Sequence, residues 1–98
     1  MGSDILLLDI SELTLIADYF IIATADSDRQ LKAISTEVTA HLKKEYDMSP
    51  LSVEAAGASG WMLLDYGAVV VHLFTPKRRD YYQLEELWED GRTIVRIA

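Results

Sequence analysis

Between Ser27 and Tyr46, apolar residues fall at Leu31, Ile34, Val38, Leu42 and Tyr46, the alternating three-and-four spacing that gathers one stripe along a helix. Ser27 followed three residues later by Gln30 matches a capping box, so the helix begins near Asp28. A helix with a single apolar stripe needs a second layer to bury it. The flanking segments offer one. Residues 4–10 (DILLLDI) and 19–25 (YFIIATA) are short apolar runs bounded by polar residues, the pattern of strands buried on both faces.

Beyond the helix, residues 47–50 break the pattern, and residues 51–55 alternate as a half-exposed strand does. Residues 56–60 are a small-residue turn. Residues 61–66 and 69–75 are two apolar runs around Tyr66-Gly67-Ala68, the signature of a tight antiparallel hairpin whose second strand is central in the sheet. Thr75-Pro76 starts a second helix, with Tyr81, Leu84, Leu87 and Trp88 on one face and an end near Asp90-Gly91. Residues 93–98 read as a tail or an edge strand. The expected fold is α/β in the α+β, two-layer sense: a mixed five-stranded sheet with helices on one face. No repeat or linker divides the chain, so residues 1–98 read as a single domain with a core over about residues 4–90.

A domain of 98 residues buries roughly two-thirds of the surface its unfolded chain exposes, enough for one modest core. Half the residues are apolar, which argues against disorder. The absence of cysteine removes disulfides, thiolate metal sites and cysteine nucleophiles. No apolar run approaches the ~20 residues of a membrane helix, and the first residues lack the blocks of a signal peptide, so the expected location is the cytoplasm. A formal charge of −7 and a pI near 4.6 make the average surface repel phosphate. A basic protein is therefore the expected partner.

Strand alternation puts Trp61, Leu63 and Asp65 on one face of the hairpin and Met62, Leu64 and Tyr66 on the other. A carboxylate beside an indole suits catalysis or recognition; equally, Asp65 starts the turn by accepting from nearby amides while Trp61 packs in the core. His72, on a face with Val70 and Phe74, reads as a packed histidine, and His41 as a surface one; with no paired spacing they predict no zinc. The glycines at 2, 57, 60, 67 and 91 form no phosphate loop, and no Gly-x-Ser-x-Gly elbow occurs, so neither a cofactor nor a nucleophilic serine is expected. Asp9, Asp18, Asp26, Asp28, Glu54 and Asp65 include no Asp-x-Asp on a strand, and Asp26 and Asp28 suit the amide end of the helix. Lys77, Arg78 and Arg79 in the first turn of the second helix oppose its dipole, which suggests pairing elsewhere or a partner.

Five ordered motifs then stand out: Ile16-Ala17-Asp18-Tyr19-Phe20; Ser27-Asp28-Arg29-Gln30; Trp61 with Leu64-Asp65-Tyr66-Gly67; Val70-Val71-His72; and Tyr81-Tyr82 with Leu84-Glu85-x-Leu87-Trp88. Together they resemble the ribosomal silencing factor family, also called Iojap-related, over about residues 4–88. The resemblance implies a nucleotidyltransferase-like topology without its paired metal carboxylates, and a protein that is not an enzyme. It implies binding to large-subunit ribosomal protein fourteen, steric exclusion of the small subunit, and repression of translation under nutrient limitation. The interface it suggests is the hairpin residues Trp61, Met62, Asp65, Tyr66 and Gly67 with Tyr82, Leu84 and Trp88 of the second helix. It also implies a homodimer paired through the hairpin, in a bacterial cytoplasm or an organelle. Lys77-Arg78-Arg79 beside Tyr81 and Tyr82 offers at most an auxiliary ribosomal RNA contact. Two departures from the family pattern are expected: a helical stretch before Asp4 is missing, and residues 93–98 run past the usual end. The alternatives are a reduced nucleotidyltransferase using Asp65 with Asp9 or Glu54 around magnesium, and a homodimeric scaffold with no ribosomal role.

Overall fold

A computed structural model describes residues 3–15, 17–55, 60–83 and 91–97, with residues 3, 4, 55 and 82 described as backbone only. The elements are β1 (Ser3–Asp9), β2 (Tyr19–Thr24), α1 (Asp28–Tyr46), β3 (Ser52–Ala55), β4 (Trp61–Asp65), β5 (Val69–Phe74), α2 (Pro76–Tyr82) and β6 (Arg92–Ile97). The strands form one sheet in the order β3-β4-β5-β2-β1-β6. β2 and β5 pair in parallel and the other neighbours antiparallel. The class is the expected mixed α+β fold, and β5 is central.

The long helix starts where its sequence directs. The Ser27 side chain accepts from the Gln30 amide at 3.2 Å. The return bond of the box is displaced by one residue, because the Gln30 side chain accepts from the Asp26 amide at 3.0 Å rather than from Ser27. At the far end Asp47 takes a left-handed backbone, φ 53°, and the amides of Asp47 and Met48 turn back onto the carbonyls of Lys43 and Leu42. Replacing the cap, Ser27→Ala, is expected to cost about 1 kcal/mol in chemical denaturation.

Two apolar layers sandwich the central strands. Beneath α1, Leu31, Ile34 and Val38 pack on Ala23, Leu64, Val71 and Leu73, with Ile21 and Met62 beside them. On the opposite face Leu6, Leu8, Phe20, Ile22 and Phe74 form a second cluster, closed by Ile10 and Ala17 from the β1–β2 connection and flanked by Trp61 and Val70.

Four expectations change. The sheet has six strands rather than five, because residues 92–97 pair antiparallel with β1, Leu7 opposite Val95 and Asp9 opposite Arg92. β1 is fully buried on one face only: Leu6 and Leu8 are covered, whereas Ile5 and Leu7 are half-buried, since α1 packs chiefly over β4 and β5. Tyr46 falls at the end of the α1 stripe and is exposed. The helices are not confined to one face: Arg79 of α2 donates at 2.9 Å to the hydroxyl of Thr24, which shares strand parity with Phe20 and Ile22, opposite α1. α2 itself ends at Tyr82, with Gln83 left-handed at φ 46°. The expected continuation to Asp90, with Leu84, Leu87 and Trp88, lies outside the described residues.

Candidate partner-binding site

The hairpin β4–β5 fixes the geometry of the candidate residues. In its register Trp61 faces Phe74, Leu63 faces His72 and Asp65 faces Val70. At the tip the Asp65 carboxylate accepts from the Gly67 amide at 2.8 Å, and the Tyr66 amide donates to the Val69 carbonyl at 2.9 Å. Gly67 has φ 85°, the left-handed backbone that glycine adopts without strain. Asp65 therefore starts the turn, one of the two readings its position allowed.

At the end of the hairpin away from the turn lies an aromatic group. The Trp61 indole stacks on Phe74, with ring centroids 5.0 Å apart, and its N–H donates to His72 Nδ1 at 3.3 Å. His72 meets the Phe20 ring edge-on at 4.6 Å. The imidazole is buried, which pushes its pKa down from 6.5 to about 4, because burial disfavours the charged form. Acceptance at Nδ1 places the neutral ring's proton on Nε2, which has no hydrogen-bond partner among the described residues. The packed-histidine reading holds, and the exposed position of His41 is also as expected.

The structure divides the residues expected to form one interface. Half-buried Trp61 lies with His72 on the face opposite α1, and Asp65 shares its strand parity. Met62 and Tyr66 pack on the other side, against the cluster beneath α1, where the Tyr66 hydroxyl is buried with no partner among the described residues. Gly67 sits at the tip between them. Tyr82 ends α2, its side chain outside the described residues, as are Leu84 and Trp88 entirely.

Of the basic tripeptide, Lys77 is exposed, Arg78 half-buried and Arg79 buried, and for Arg79 the expected pairing elsewhere is found at Thr24. Sequence reasoning flagged the charge against the dipole but not its partner, Thr24, on a distant strand. Arg78 also fixes what can stand at Gly60, whose φ is 97° and whose carbonyl accepts from the Thr75 amide at 2.9 Å. An added Cβ there would collide with the Arg78 side chain and lie 2.8 Å from the Thr75 hydroxyl. Gly60→Ala is expected to destabilise the domain by about 1–3 kcal/mol, read as a lower urea midpoint at unchanged slope.

Of the carboxylates proposed for a metal, Asp9 does not converge with Asp65, whereas Glu54 stands diagonal to Asp65 in the β3–β4 register, where the Asp65 carboxylate is already engaged by the Gly67 amide. Asp9 on β1 and Asp65 on β4 are separated by β2 and β5, roughly 14 Å at the usual strand spacing. Asp9 is already engaged: it accepts from the Ser11 hydroxyl at 2.6 Å, the Ser11 amide at 3.0 Å and Arg92 at 2.9 Å. These contacts hold its carboxyl below the usual range, the Ser11 hydroxyl foremost. The hollow beside it, about 210 Å³, is lined by Asp9, Glu12, Leu13 and Arg92. Among the described residues no group of three or more His, Cys, Asp or Glu is placed to hold a metal ion. No described helix is long and apolar enough to cross a membrane.

Fold and site together define a small acidic α+β domain whose β4–β5 hairpin carries an aromatic cluster at the end away from its turn. The chain belongs to the ribosomal silencing factor family: the family model for RsfS, ribosomal silencing factor during starvation, matches residues 1–97. That span includes β6, so residues 93–97 are part of the family domain and not an extension beyond it. The chain is 42% identical over 93 residues to a Bacillus subtilis ribosomal silencing factor, covering 92% of this chain and 75% of the relative. It is 36% identical to the chloroplastic protein Iojap of Zea mays, covering 95% of this chain and 40% of that one. A crystal structure of a Chromobacterium violaceum protein superposes with a TM-score of 0.83 at 39% identity, covering 99% of this chain and 79% of that one.

Proposed function

We propose that this domain docks on the large ribosomal subunit through ribosomal protein fourteen and, by occupying the joining surface, keeps the small subunit away and represses translation when nutrients are limiting. The observation that carries this reading is the family membership, whose description is ribosomal silencing during starvation. A mouse relative, 36% identical over 74 residues that make up 32% of its length, is named for assembly of the mitochondrial ribosomal large subunit, which supports that subunit as the docking target. A net charge of −7 favours a basic partner through faster, oriented encounter, and the half-buried Trp61 suits an anchor.

The role is steric, not enzymatic, exercised by residues 1–98 as a single domain. Trp61, Met62, Asp65, Tyr66 and Gly67, with Tyr82, Leu84 and Trp88, are the contact region. Its action is in the cytoplasm or an organelle, a reading supported by relatives from bacteria and by those named as chloroplastic and mitochondrial. The scaffold alternative has one observation in its favour. β6 is an edge strand exposed along its length, including Ile94, Val95 and Ile97, and open edges template pairing with another chain. Both hairpin strands are already paired on each side, so edge pairing between copies would use β3 or β6.

Co-sedimentation with isolated large subunits tests the reading. The wild type is expected to bind. Trp61→Ala and Asp65→Arg are expected to lose about ten-fold or more in affinity. Asp65→Asn keeps the acceptor for Gly67, so its smaller loss isolates the charge from the turn. A wild type that stays in the supernatant contradicts the proposal.

A further inference from the structure

We propose that His72 is the positioning residue for Trp61, its Nδ1 holding the indole N–H so that the outer part of the ring is presented to the large-subunit partner in one orientation. This rests on the reading of Trp61 as a partner contact.

Packing alone does not account for a histidine at this place. His72 sits on a central strand between Phe20 and Phe74, in a position that a leucine or phenylalanine would fill without burying a polar edge. The imidazole instead brings an Nε2–H with no acceptor among the described residues, an arrangement that opposes folding. What it supplies in return is an acceptor at Nδ1, 3.3 Å from the Trp61 N–H. Neutral at pH 7, the ring keeps that lone pair available.

The indole is thereby held from two directions. Its face lies on Phe74 at 5.0 Å, 26° from parallel, and its polar edge is tied to His72. Stacking alone fixes the ring plane but still admits a flip about χ2 that turns the N–H edge away; the bond to His72 selects one of the two orientations. An anchor side chain ordered before binding spares the ordering cost at the interface, and the gain appears as affinity without any new intermolecular contact.

The test uses His72→Leu, which keeps apolar volume without the acceptor, and His72→Asn, whose side-chain oxygen stands near the place of Nδ1. Each is made in the full chain and in a Trp61→Phe background. Folding is checked by amide NMR, and binding to large subunits is measured for every folded variant. The expected result is that His72→Leu shifts the Trp61 indole N–H resonance and weakens binding about ten-fold. His72→Asn restores most of the binding, and in the Trp61→Phe background the loss caused by His72→Leu disappears. Two results overturn the proposal while leaving the docking reading intact: folded His72→Leu binding as tightly as wild type, or losing as much affinity in the Trp61→Phe background as in the full chain with its tryptophan. Failure of the wild type to bind overturns the docking reading and this proposal with it.

Discussion

Phe74→Ala is expected to remove about 3–5 kcal/mol of folding stability, close to everything a marginal domain of this size has to lose. Phe74 is fully buried at the end of β5, paired in register with Thr24 of β2 on one side and Trp61 of β4 on the other. Its ring supports two others, Trp61 at 5.0 Å and His72 at 6.3 Å. The strands around it are hydrogen-bonded on both sides and cannot collapse into the space, so the cavity remains. Its backbone bond to Ala25, 2.8 Å from amide to carbonyl, does not depend on the side chain and would survive the change. Urea unfolding of Phe74→Ala beside Phe74→Leu isolates the cost of the cavity, since leucine refills part of the volume and is expected to cost much less. A loss below about 1 kcal/mol for the alanine variant would show that this aromatic group is not the core.

The second large effect is acid sensitivity. His72 titrates near 4 when folded against 6.5 for an ordinary histidine. Between those values the unfolded chain binds a proton that the folded chain refuses, so stability is complete above pH 6.5 and is lost as pH falls toward 4. The full difference corresponds to about 3 kcal/mol. Protonation would also occupy Nδ1, so the Trp61 N–H would lose its acceptor. Asp9, whose carboxyl is held low chiefly by Ser11, loses its favourable contribution only below its ordinary value of 3.8, in a separate and more acidic range. Denaturation midpoints measured between pH 7 and 4 should fall steadily for the wild type. The corresponding slope should be nearly flat for His72→Leu. Equal slopes would place the proton uptake elsewhere.

Much of the fold was legible because its strongest signals are local. The α1 stripe and Ser27 cap need only residues within the helix, and the hairpin around Gly67 needs only its own turn and alternation. β6 was ambiguous for a physical reason: Arg92–Ile97 is exposed on both faces, so its residues carry no inside and outside alternation, and only pairing with β1 makes it a strand. The half-covered face of β1 depends on where α1 lands, which no local pattern encodes. At the site, strand parity correctly separated Trp61 and Asp65 from Met62 and Tyr66. The Trp61–His72 bond required the register of β4 on β5, which sets Leu63 opposite His72 and leaves Trp61 diagonal to it. Arg79 was visible as a charge opposing a helix dipole, but its partner Thr24 lies 55 residues away.

The measurement that bears most directly on the central claim is subunit joining. Purified large subunits are incubated with increasing amounts of this protein, small subunits are added, and the joined fraction is read from a sucrose gradient. Steric silencing predicts that the joined fraction falls in step with the protein bound to large subunits, and that Trp61→Ala shifts the whole curve to higher concentration. Undiminished joining on large subunits saturated with the protein would contradict it.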